Sequence, residues 1–200
     1  MVRTETPWGP WEPLPPGDVA DIFARAPFQW WLAGGYALEA FVGQAYREHA
    51  DIDIGLRHGD QRGAREYLSE WDLHCADPPG TLRPWAPGES LAAEIHDIWV
   101  RRDSQDAWGF QLMFDHHEGN EWVYRRDPRV RRPLSSITWH RDGVAYLAPE
   151  VQLLYKSRAP RLRDTLDFET VWPRLNGEQR EWLRSTLLTT DATNPWLEAL

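Results

Sequence analysis

Two adjacent glycines, Gly34-Gly35, open a run of helix-forming residues, and two aspartates, Asp51 and Asp53, follow about sixteen residues later in the stretch Asp51-Ile52-Asp53-Ile54. This order predicts a turn, a helix and then a strand. Alternate side chains of a strand share a face, so Asp51 and Asp53 are expected on one side, with Ile52 and Ile54 turned into the core. Two carboxylates on one face repel each other and gain nothing from exposure. They make sense as a seat for Mg²⁺, a hard cation that takes oxygen ligands and is usually shared with substrate phosphates. The glycines let backbone approach a phosphate closely, and a helix N-terminus favours negative charge. Together these features imply phosphoryl- or nucleotidyl-transfer chemistry.

The rest of the chain sets the frame. Its 200 residues suit one core with a small helical appendage, and its thirteen tryptophans give ample bulk for packing. Residues 1–17 hold five prolines and two tryptophans and read as an irregular arm. Residues 18–147 read as the core. Asp18 is expected to cap a first helix, Phe28–Leu32 to form a strand, and 60–71 another helix. Strands are expected at 94–101, 110–115 and 122–125, with a hairpin around Arg141-Asp142-Gly143. From Pro149 onward the pattern is helical, so 148–200 read as a C-terminal helical subdomain. The fold class that follows is α+β, a mixed sheet with flanking helices.

The net charge of −9, with no Lys/Arg-dense run, argues against broad binding to nucleic acid. Cys75 is the single cysteine, which leaves no intramolecular disulfide framework and fits a reducing cytoplasm. No apolar run reaches the roughly 18 residues of a membrane span, and no charged-then-apolar signal segment opens the chain. His116-His117 would point to opposite faces of a strand, so a shared zinc ion is not expected there.

The segment Trp31-Leu32-Ala33-Gly34-Gly35-Tyr36-Ala37, and the run with Gly43, Arg47 and His49 ahead of Asp51-Ile52-Asp53-Ile54, resemble the nucleotidyltransferase superfamily. The closer resemblance is to the aminoglycoside 2″-adenylyltransferase-like and lincosamide nucleotidyltransferase families, and it continues through residues 122–128 and 146–156. Tyr36 departs from the pattern, because many superfamily members have Ser there. The resemblance implies a polymerase-beta-like core. It implies transfer of a nucleoside monophosphate, AMP from ATP first, to a hydroxyl of a small molecule, with two Mg²⁺ ions. An aminoglycoside-like antibiotic is the first acceptor class to expect. A toxin-type enzyme modifying RNA or protein, and a degenerate binding module, are the alternatives.

Two carboxylates hold a pair of ions only with a third from a neighbouring strand, for which Asp97 and Asp115 are the candidates. The resemblance favours Asp115, in a role that doubles as general base. Gly34 and Gly35 are expected to cradle phosphate, and Arg47 and His49 to contact phosphate or orient Asp51. Lys156 is the only lysine among 22 basic residues. Its compact charge suits a mobile triphosphate, and in the resembling families its helix faces the cleft. A basic patch at Arg158, Arg161 and Arg163 is a further triphosphate candidate. Asp97, Asp115, Glu118 and Glu121, with Trp99, Trp108 and Trp122, are the expected walls for a cationic amino sugar. Asp164 and Asp167 carry no assigned role.

Overall fold

The computed structural model describes residues 3–199. In chain order the helices and strands are α1 (Pro16–Phe23), β1 (Trp30–Leu32), α2 (Gly34–Val42), β2 (Asp53–Arg57), α3 (Gln61–Tyr67), β3 (Asp72–Cys75), β4 (Arg83–Pro84) and β5 (Asp97–Arg101). They continue with β6 (Phe110–Glu118), β7 (Glu121–Val123), β8 (Arg131–Pro133), β9 (Thr138–Arg141), β10 (Val144–Leu147), α4 (Pro149–Lys156), α5 (Leu162–Val171) and α6 (Gly177–Thr190). The class is α+β, as expected. Among the described residues ten strands form one mixed sheet, ordered β4-β3-β5-β6-β2-β1-β10-β9, with β7 and β8 branching from the far end of β6. The pairs β2–β6 and β1–β10 are parallel, and the other pairs are antiparallel.

Strand alternation divides the sheet between two cores. Leu32, Ile54, Leu56, Ile98, Val100, Leu112 and Phe114 pack with Val19 and Phe23 of α1 and Ala64 of α3. Trp31 and Leu147 enter a second cluster with Ala37 and Leu38 of α2, Val151, Leu153 and Leu154 of α4, Phe168 of α5, and Leu183 and Leu187 of α6. The C-terminal helices thus lie over the side of the sheet that carries Asp53. Each is locally specified. Pro149 opens α4 at a position where no N–H is needed. Asn176 and Gln179 cap α6 reciprocally. The N-terminal arm crosses the sheet edge through bridges from Trp11 to Thr4 and Trp108, burying the Trp11 ring edge-on to Trp99 at 4.9 Å.

Three local expectations change. Helix α1 starts at Pro16, whose ring presets its backbone angle, so Asp18 lies in the first turn and is no cap. Strand β2 starts at Asp53, leaving Asp51 just ahead of it. Strands β3, β4 and β8 had no strong signal. Each has two to four residues, and two of them contain proline. The lone Cys75 is buried, with its thiol pKa pushed up by desolvation, which suits a packing residue. Among the described residues no helix is long and apolar enough to cross a membrane.

The fold predicts a contrast between two apolar truncations. Ile54→Ala, at a fully buried position in β2, should cost about 2–5 kcal/mol. Leu162→Ala, whose side chain is 93% exposed, should stay within about 0.5 kcal/mol of the parent. Urea denaturation of both variants checks the contrast.

Candidate active site

The first turn of α2 is shaped around the carboxylate of Asp53. Gly34 has φ +65, and a Cβ there would overlap the Asp53 carboxyl group, so both backbone angle and space require glycine. A Cβ on Gly35 would overlap the His49 ring and the Arg47 guanidinium, which fold over the helix start. The Gly34 N–H donates to Gln152 Oε1 of α4 at 2.6 Å. The glycine pair therefore brings the sheet, the Arg47–His49 loop and the C-terminal helices to one point.

Asp53 is half-buried at the start of β2, beside Gln111 of β6 in the parallel ladder. Gln111 Nε2 donates to Asp53 Oδ1. Burial, then repulsion from Asp51, push the Asp53 pKa up to about 7, against the Gln111 hydrogen bond and the charge of Lys156. A carboxylate so disfavoured as an anion gains from a nearby cation. Asp51 and Asp53 fit a hard divalent ion that completes its shell with water and phosphate oxygens. Among the described residues no group of three or more His, Cys, Asp or Glu side chains could hold a metal ion.

Asp115, expected as the third carboxylate, stands apart from Asp53 along β6. In the β2–β6 register Asp53 faces Gln111, while Asp115 faces Arg57. Asp115 is four residues farther along, about 13 Å at strand rise, too far to share an ion with Asp53. It is buried, accepting hydrogen bonds from Trp122 Nε1 at 3.1 Å and from the Tyr155 hydroxyl. Burial raises its pKa, and those two donors oppose the rise. Asp97 of β5 pairs with Met113 of β6, and Trp99 pairs with Gln111. Asp97 thus shares the face of Asp53. Its pKa is pushed up to about 6 by burial, with Arg125 opposing and Asp51 adding to the shift. Its Oδ1 is buried without a hydrogen-bond partner.

A cavity of roughly 190 Å³ runs from Gly34, Asp53 and Gly55 to Asp115, and Arg125, Arg126, Lys156 and Arg161 also line it. Lys156 does reach the cleft, but its ammonium lies 3.1 Å from Asp164 and 2.9 Å from Asp167. Asp167 is fully buried and also accepts from Tyr46 Oη at 2.9 Å and from Arg47 Nε and Nη2 at 2.6 and 2.9 Å. Burial opposes ionisation of Asp167, yet Arg47 and Lys156 hold its pKa below the usual range. Arg161 donates to Asp164 at 2.7 Å. Arg47 Nη1 also lies 3.0 Å from His49 Nδ1. Guanidinium accepts no hydrogen bond, so Nδ1 is the acceptor and the ring proton sits on Nε2, 2.9 Å from Glu39 Oε1. Burial lowers the His49 pKa, which favours the neutral ring.

Residues 17–77 match a family model described as aminoglycoside-2''-adenylyltransferase. No curated protein matches the chain in sequence. Among solved structures, lincosamide antibiotic adenylyltransferase LnuA with lincomycin bound superposes with a TM-score of 0.53 at 14% identity, over 78% of this chain and 93% of that one. The solution structure of the antibiotic-resistance factor ANT(2'')-Ia gives 0.58 at 12% identity, over 88% and 90%. The crystal structure of ANT(2'')-Ia with adenylyl-2''-tobramycin gives 0.54 at 12% identity, over 86% and 94%. The chain carries the nucleotidyltransferase fold and resembles the aminoglycoside 2''-adenylyltransferase family.

Within that fold, Gly34, Gly35, Arg47, His49, Asp51 and Asp53 cluster at the head of α2, and Arg161 joins Lys156 at the cleft. Arg158 lines a different pocket, with Asp127 and Asn194. Of the expected acidic wall, Glu118 and Glu121 are exposed partners of Arg131 at the β6–β7 turn. Of the aromatic wall, Trp108 and Trp122 are buried, while Trp99 is half-buried on the Asp97 face. Sequence reasoning missed Gln111, Gln152, Tyr155 and Arg125. Helical spacing was the available signal for Gln152 and Tyr155, which share a face with Lys156 on α4.

The raised pKa of Asp53 fixes the direction of a pH effect. Its folded value is near 7, above an unfolded value of about 3.9. Its contribution to metal-free stability is therefore present below about pH 4 and lost as pH rises through 7. Asp53→Asn should flatten that decline and raise the metal-free melting temperature above wild type at pH 8. Thermal melts in EDTA from pH 4 to 8 read this. A variant less stable than wild type at pH 8 contradicts the burial and repulsion assigned to Asp53.

Proposed function

We propose that this chain is a nucleotidyltransferase that moves a nucleoside monophosphate, AMP from ATP first, onto a hydroxyl of a small molecule. The observation that carries the reading is Asp53, with Asp51 beside it, held against the Gly34-Gly35 turn at the mouth of a cavity lined by four cations. Carboxylates for a metal, glycine backbone for phosphate and cations for phosphate charge are what transfer of a phosphoryl group requires. Relatives in fold are a lincosamide antibiotic adenylyltransferase with lincomycin bound and ANT(2'')-Ia in complex with adenylyl-2''-tobramycin, which supports an antibiotic-like acceptor. The net charge of −9 favours a cationic polyol over a nucleic acid.

Asp51 and Asp53 would hold Mg²⁺, which when bound polarises the α-phosphate and neutralises charge on the departing pyrophosphate. Gly34 and Gly35 make room at the helix start for the Asp53 carboxylate and for the Arg47 and His49 side chains. The acceptor oxygen bonds to the α-phosphorus as the bond from that phosphorus to the pyrophosphate oxygen breaks. The acceptor proton passes to a carboxylate, and Asp97 is suited to take it. It lies on the Asp53 face, its buried Oδ1 has no hydrogen-bond partner, and burial raises its pKa. Asp115 has its Oδ1 filled by Trp122 and Tyr155 and serves as an anchor.

The test is pyrophosphate release across NTPs with aminoglycosides, lincosamides and tRNA as acceptors. Turnover of an amino sugar or lincosamide is expected, with a loss of at least about 10³-fold in Asp51→Ala and Asp53→Ala. Asp97→Asn should lower kcat about 10²-fold or more, whereas Asp115→Asn should act mainly on stability. Modification of tRNA with no small-molecule turnover contradicts the acceptor. A selective kcat loss in Asp115→Asn returns the base role to Asp115.

A further inference from the structure

The four cations of the cavity are not equivalent. Lys156 is neutralised by Asp164 and Asp167, and Arg161 by Asp164. Arg126 is exposed and donates to the Tyr155 carbonyl at 2.7 Å. Arg125 is different. It is half-buried, lines the same cavity as Asp53, and among the described residues has neither a carboxylate within ion-pair reach nor a hydrogen-bond partner. Its guanidinium lies 5.5 Å from the centre of the Tyr155 ring. That ring is fixed from behind, because the Tyr155 hydroxyl donates to Asp115, which Trp122 also holds. Desolvation lowers the Arg125 pKa, and Arg126 adds to the effect. Guanidinium nonetheless stays charged at any physiological pH. A partly desolvated cation held ready on an aromatic face, with five unused donors, is a site awaiting an anion.

We infer that Arg125 is the principal phosphate-binding side chain of the cavity, taking phosphoryl oxygens of a nucleoside triphosphate or of pyrophosphate through its planar fork. The inference rests on the nucleotidyltransferase reading for the identity of the anion, but the anion site itself does not. A volume of roughly 190 Å³ is below the roughly 300–1,000 Å³ of typical whole-ligand pockets. The cavity therefore suits the phosphates, with the nucleoside and the acceptor outside it toward Asp97 and Trp99. Lys156 then acts through its ion pairs, fixing α5 against the Arg47 loop. Asp115 gains a purpose too: it positions the Tyr155 ring on which Arg125 rests.

The test is calorimetric titration of wild type, Arg125→Gln, Arg125→Lys and the surface control Arg129→Gln with magnesium pyrophosphate and with magnesium ATP. Arg125→Gln should weaken both ligands about 30-fold or more. Arg125→Lys should weaken them about 10-fold, since a point charge replaces a bidentate fork. Arg129→Gln, whose side chain pairs with Asp127 on the surface, should match wild type. Ligand-free melting of Arg125→Gln should equal or exceed that of wild type, because an unpaired half-buried charge has gone; a purely structural role would lower it. Wild-type affinity for both ligands in Arg125→Gln overturns the inference, as does a loss that merely follows a lower melting temperature. Arg125→Lys keeps the charge and decides between the same two outcomes if the glutamine variant fails to fold. If wild type binds pyrophosphate through Arg125 yet transfers no nucleotide to any acceptor, the anion site stands and the nucleotidyltransferase reading falls. If wild type binds neither ligand, both fall.

Discussion

The Asp53 carboxylate occupies the space in which residue 34 would carry a side chain, and much of the molecule follows from that contact. Gly34 is left-handed and bare because of it. Helix α2 can then start directly after β1 and turn its N-terminus toward the carboxylate. Gln152 reaches across from α4 to the Gly34 N–H, tying the C-terminal helices to the same turn. Asp53 itself is held at an electrostatic disadvantage, buried beside a second carboxylate. That disadvantage costs stability, and a cation beside the carboxylate would relieve it, a trade common at sites built for charged ligands.

A second set of contacts gives the cleft its far wall. Arg47, Asp167, Lys156, Asp164 and Arg161 alternate in sign and run from the loop before Asp51 to the start of α5. Most of these groups are buried, so the cost of removing one partner is high, while the net contribution of the whole set to stability is small. Its consequence is positional: the α4–α5 layer and the Arg47 loop keep a fixed relation to the glycine turn. The Trp122–Asp115–Tyr155 cluster plays the same part at the other end of the cavity.

The strongest features of the sequence were those whose chemistry is local. Gly34-Gly35 and Asp51-x-Asp53 announce themselves because a tight turn and two neighbouring carboxylates have few other uses. The mixed α+β character and the helical C-terminus followed from periodicity and from Pro149. What escaped depended on register. Asp115 ends the hydrophobic run within its strand, but which residue of that strand meets Asp53 is set by the β2–β6 pairing, and that residue is Gln111. One strand position changes the identity of the side chain beside Asp53, and four move it about 13 Å away. Lys156 stands out as an exception in composition, while its two carboxylate partners share a face of the next helix, and only the α4–α5 packing brings them to its ammonium. Arg125 stands out only once the ion pairs of its neighbours are known.

The central claim is that Asp51 and Asp53 seat a divalent ion shared with nucleotide phosphates. The most direct measurement is a crystal structure with Mn²⁺ and a non-transferable ATP analogue, using anomalous scattering to place the metal. A manganese peak is expected within about 2.5 Å of carboxylate oxygens of both Asp51 and Asp53, with phosphate oxygens completing its shell. Manganese at another place, or nucleotide bound with both carboxylates free of metal, would contradict it.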